Sequence, residues 1–272
     1  MGRTARRVPL WLLAPAAAAG WWVVGFLPRV VRGEAPGPLA AAPMATLVSF
    51  CLIGGVAGGA VAGLRRDRRT AAEGAVVLGV VAAALVGLAL ASPEAAQDQR
   101  VTTGLRVIGA LVTVVGLGLG LLAALGPAVL RGAALTAPAV CLPGWLDELL
   151  PGELDVTVGR VVLALALAGA LAVTVRRSAY ELVGWLPAWL VGWTMQAALP
   201  ALVTVAVYIR PGYGLDDATS LVPVGWDYLK AAWRTPDAHQ PVAWAGGALL
   251  ALLVVAWRLW ARSRAPQAEP SD

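Results

Sequence analysis

The side chains able to do chemistry in this sequence are few, and the most suggestive of them share one helical stripe. Trp185, Trp189 and Trp193 recur every fourth residue and lead on the same broad face to Gln196 and Pro200. Residues four apart stand one above another on a helix, so the stripe is one continuous surface. Tryptophan ordinarily marks the membrane interface, yet Trp193 lies near the middle of a long apolar run, beyond the reach of the headgroup layer. One reading makes the stripe the aromatic wall of a cleft for a lipid, isoprenoid or other amphiphile. Gln196 then offers a buried amide and Pro200 opens the helix. The plainer reading is a helix interface, with indoles filling space and Gln196 bonded to a neighbouring backbone or hydroxyl group for about 1 kcal/mol.

Arg131 is the basic residue that comes closest to the middle of an apolar segment. It either snorkels to the inner surface or faces a cavity, where it would hold an anionic headgroup beside the Trp189, Trp193 and Gln196 face. No Asp or Glu lies near the middle of any apolar run, so a proton or sodium relay of the usual ionisable kind is not encoded. His239 is the only histidine, and it neighbours Asp237 in a polar segment with Asp216, Asp217 and Asp227. One imidazole among scattered carboxylates lacks the ligand spacing of a metal site, and a solvated loop is expected there. A lipid-modifying enzyme could use His239 and these acids near the headgroups. The sequence nevertheless has no nucleophile elbow, no Walker A loop, no HExxH and no dinucleotide fingerprint. No catalytic residue, metal or cofactor is therefore expected.

The elements that must position these groups are membrane helices. The 272 residues are 59% hydrophobic and 14% charged, with a mean hydropathy of +0.74, whereas a soluble domain is about 25% charged. Charge is also clustered, at Arg65, Arg66, Arg68 and Arg69 and again at Arg176 and Arg177, between long uncharged runs. The net charge of +5 is not laid out as a basic stripe interleaved with aromatics, so no nucleic-acid partner is expected. Lys230 is the sole lysine among many arginines, and alanine and glycine abound, which is the coding bias of a high-GC bacterium. Cys51 and Cys141 form no spaced framework and read as packing residues.

A hydrocarbon core of about 30 Å takes roughly 20 helical residues. Segments 8–31, 46–64, 71–91, 107–125, 156–175, 182–209 and 242–260 meet that length. An eighth, 124–142, is interrupted by Pro127, Arg131 and Pro138 and is either a short span or re-entrant. The first is too long for a signal-peptide core and reads as an uncleaved span. Basic residues favour the cytoplasmic side, and both arginine clusters lie inside only if the segment around Arg131 crosses. Eight spans with both termini inside is thus the expected topology.

Two stretches beyond the spans look ordered on the outer side. Within 220–234, in the outer loop 210–240, Val222, Trp226, Leu229 and Trp233 share one helical face and Asp227, Lys230 and Arg234 another. An amphipathic helix lying in the interface is predicted, anchored by Trp226 and Trp233, with a shorter copy around Trp145. Gly54, Gly55, Gly58, Gly59 and Gly63, and further on Gly116 and Gly120, carry the four-residue spacing that lets helix backbones approach. Tight internal packing is expected from them, and the oligomeric state stays open. No internal repeat is visible.

These features describe an all-α, polytopic transmembrane bundle, a single integral membrane domain over 1–272, multi-pass in the plasma membrane. The leading functional expectation is a non-catalytic membrane component, a permease-like core or a structural subunit of a cell-envelope complex with membrane-protein partners. A transporter or flippase for an amphiphile is the first alternative and a lipid-modifying enzyme the second.

Overall fold

The computed structural model describes residues 8–33, 44–90, 99–150, 155–175, 178–208 and 221–264. Asp216, Asp217, Arg176 and Arg177 lie outside the described residues. The helices are α1 (Leu10–Val31), α2 (Met44–Ala60), α3 (Arg69–Leu90), α4 (Gln99–Leu125) and α5 (Ala128–Leu149). They continue with α6 (Val156–Thr174), α7 (Trp185–Tyr208), α8 (Leu221–Arg234) and α9 (Pro241–Ser263). Eight of these, all but α8, are long and apolar enough to cross a membrane. A bilayer offers no partner for a free backbone N–H or C=O, so apolar runs of this length close their hydrogen bonds within the helix. Starts are marked locally: Pro9 and Pro127 precede α1 and α5, and the Asp155 carboxylate accepts from Val158 N at 2.7 Å at the head of α6.

The eighth segment forms one continuous helix that is long and apolar enough for a full span. Helix α5 runs unbroken through Pro138 and Pro143 and takes in the stretch around Trp145 that was expected to form its own interfacial helix. Each proline removes one backbone donor, a loss that helices tolerate in a membrane when neighbours pack closely on both sides. Helix α5 has such neighbours in α1, α2, α4, α6 and α7. Trp145 is accordingly buried in the bundle and not held at headgroup depth, and its indole N–H donates to Gly25 O of α1 at 3.1 Å. The Arg32–Glu148 ion pair at 2.8 Å marks the outer ends of α1 and α5.

Helix α2 sits between α1 and α4, and its glycines face them alternately. A Cβ at Gly54 would stand 2.6 Å from Trp21 O of α1; at Gly55 and Gly59 it would stand 2.8 Å from Thr113 O and 2.6 Å from Leu117 O of α4. Gly116 answers from α4, where a Cβ would meet Leu52 O at 2.6 Å, and Gly120 does the same against Val56 O. Gly58 faces Ala17 O, and Gly63 makes ordinary contact with Ala124. Trp21 donates across this seam to Thr113 Oγ1 at 3.3 Å.

The packing contains a repeat that the sequence does not display. In the first half α2 packs on α1 and α4, and α3 packs on α1. In the second half α6 packs on α5 and α9, and α7 packs on α5, in the same chain order. Four crossings separate the start of α1 from the start of α5, so the two four-helix units point the same way across the membrane. The units differ at one place. Helix α3 also packs on α4, whereas α7 and α9 do not run together, and α8 is inserted between them in the chain.

Candidate functional site

The gap between α7 and α9 is where the polar and aromatic groups meet. Helix α7 runs parallel to α5, with Gly184, just before it, against Val129 and Gly192 against Thr136. Trp193 therefore lies level with the middle of α5. Counting from Val205, which is level with the outer end of α5, Trp193 is about 18 Å deep at about 1.5 Å per residue. That is near the middle of a hydrocarbon core of about 30 Å.

Helix α8 does not lie flat in the interface. It runs antiparallel along the outer half of α7: a Cβ on Gly225 would stand 3.1 Å from Val205 Cγ2, and Trp193 Nε1 donates to Trp233 O at 3.2 Å. Of the expected anchors, Trp226 is 58% exposed beside the outer end of α7, while Trp233 is drawn inward to the level of Trp193. Amphipathicity requires that the apolar face be covered and is silent on whether headgroups or a neighbouring helix cover it; here α7 does. The polar face stays exposed, with Lys230 paired to Asp227 at 2.7 Å.

The 3-10 turn Pro236–His239 joins α8 to α9 and carries His239 into the bundle. Its ring stacks on Trp193 with centroids 3.5 Å apart and planes 14° apart, and Trp189 abuts Trp193 at 5.0 Å. His239 is 0% exposed, so the solvated loop expected for it is overturned. The docking of α8 on α7 places the turn against Trp193 and away from water. Gln196 is buried too, and its Oε1 accepts from Trp244 Nε1 of α9 at 2.7 Å. Gly192 makes room for that indole, since a Cβ there would stand 2.5 Å from Trp244 Cζ2 and 2.7 Å from Thr136 Cγ2. Pro200, one turn beyond Gln196, has no N–H to give the Gln196 carbonyl.

Trp189, Trp193, Gln196 and Pro200 thus occupy one region, and Arg131 does not join them. Its guanidinium turns back to the start of α5, where Nε donates to Gly126 O at 2.8 Å. The residues that the spacing of the sequence could not supply are His239, Trp244 and Thr136. Each belongs to a different element from the stripe, and contact between helices leaves no mark on linear spacing. Among the described residues no group of three or more His, Cys, Asp or Glu could hold a metal ion, and the described side chains of the cluster include no thiol or carboxylate. Its chemistry is that of hydrogen bonding and aromatic contact.

Comparison with known protein families, with curated proteins and with solved structures found no match. Fold and cluster together define a class: a helical, multi-pass membrane protein with a polar and aromatic centre enclosed in one half of its bundle.

Proposed function

We propose that the chain is a permease-like, non-catalytic component of the cell membrane that admits an amphiphile from the outer side into the α7, α8 and α9 corner. The observation that carries this reading is the burial of an imidazole and an amide, His239 and Gln196, inside the bundle beneath an amphipathic helix. Ionisable groups inside a membrane bundle are costly to place, and a buried one such as His239 marks a functional site by default. Helix α8 has the character of a cover, because it leans chiefly on α7.

Native mass spectrometry of protein extracted gently from its own membrane tests the reading. A defined amphiphile retained by the wild type and lost from Trp193→Ala and Gln196→Leu proteins is the expected result. A second reading, a structural subunit of an envelope complex, is favoured by the way Gln196 and Trp244 satisfy each other without a ligand. A stoichiometric protein partner with no retained amphiphile would replace the first reading by the second.

A further inference from the structure

We infer that the amphiphile carries a hydroxyl group and that Nδ1 of His239 accepts its hydrogen bond. This rests on the permease reading above and narrows its substrate class. His239 Nε2 lies 3.2 Å from Trp233 O. A carbonyl has no proton to give, so the proton in that contact belongs to Nε2 and the neutral ring keeps its lone pair on Nδ1. That Nδ1 is buried and has no hydrogen-bond partner. A buried acceptor without a donor is unfavourable, and the partner it lacks is an O–H or N–H group. Charge chooses between donors. Trp193, which stacks on the ring, is uncharged, and so are the described side chains of the same cluster, Gln196, Trp244 and Thr136, so an ammonium group would enter without a counter-charge and a phosphate would meet a lone pair. An uncharged alcohol fits both conditions.

The way in is the lifting of α8. Its inner end is tied through a single carbonyl, Trp233 O, which accepts from both Trp193 Nε1 and His239 Nε2. Release of that one group frees the indole face and the imidazole together. Trp189, 43% exposed beside Trp193, supplies apolar surface for the chain of the ligand.

The test uses the full chain in vesicles that contain a photoreactive diacylglycerol or, in parallel, its O-methyl ether. Wild type is expected to capture the alcohol about tenfold more than the ether, the ratio for one hydrogen bond to a buried acceptor. His239→Phe keeps a ring to stack and removes the acceptor, so the preference should vanish. His239→Gln, whose amide can both donate to Trp233 O and accept, should keep part of it. A V205C/G225C disulfide reports that α8 remains docked in each variant. Equal capture of alcohol and ether by wild type, with capture of both still reduced by Trp193→Ala and Gln196→Leu, overturns the role of His239 and leaves the permease reading standing. Capture unaffected by those two substitutions overturns both.

Discussion

Gly59 and Gly116 illustrate how a missing side chain sets a distance. Their backbones lie against carbonyls of the opposite helix, so an added methyl has to push α2 and α4 apart. Gly59→Ala or Gly116→Ala is expected to cost about 1–3 kcal/mol, as overpacking does. Gly118→Ala and Gly169→Ala, where a Cβ meets nothing within 4 Å, should stay within about 0.5 kcal/mol of wild type. Unfolding in detergent against added denaturant measures both sets, and equal costs would contradict the close approach. The Gln196–Trp244 bond makes a second prediction: Gln196→Leu and Trp244→Phe should be non-additive, with a coupling of about 0.5–1.5 kcal/mol in a double-mutant cycle. At this scale the four-residue spacing of Trp185, Trp189 and Trp193 announced a surface, because helical period alone brings such residues together. Trp244 and His239 were hidden, since nothing in their own neighbourhoods indicates which helix they will face. The acids around His239 instead suggested water.

Helix α8 shows what an amphipathic pattern does and does not specify. The pattern located the helix to within a residue or so, and left its partner open between headgroups and protein. The two outcomes differ measurably. With Cys51 and Cys141 replaced, V205C/G225C should form a disulfide under mild oxidation in membranes, whereas a helix flat in the interface would hold the two positions apart. Pairing of Val205→Cys with Tyr228→Cys in place of Gly225→Cys would contradict the register. Helix α5 was misjudged at its outer end for the opposite reason. Pro138 read as a break, because proline ends most helices in water, while five neighbouring helices keep α5 continuous through it and through Pro143.

The bundle as a whole was legible from hydropathy and arginine placement, since a lipid solvent leaves few options for long apolar runs. Its repeat was not legible. Close contacts are made by Gly55 against Gly116 and Gly59 against Gly120 in one unit and by Ala164 and Ala168 against Gly247 in the other, so size is repeated and residue identity is not. Each unit has its own packed core, and chains cut at Gly126 should reassemble: segments 1–126 and 127–272, expressed together, are expected to copurify. Failure of the halves to associate, with each stable alone, would show that α5 does not bind the units as its contacts with α2 and α4 imply.

The inserted position of α8 also constrains how the protein is made. At 14 residues and with Asp227, Lys230 and Arg234 on its surface, α8 is too short and too charged to enter the bilayer as a span. The translocation machinery must pass it to the outer side while α7 and α9 are threaded. The turn that brings His239 against Trp193 follows α8 in the chain, so the enclosed corner of the molecule closes only after α8 and that turn have both been delivered to the outer side.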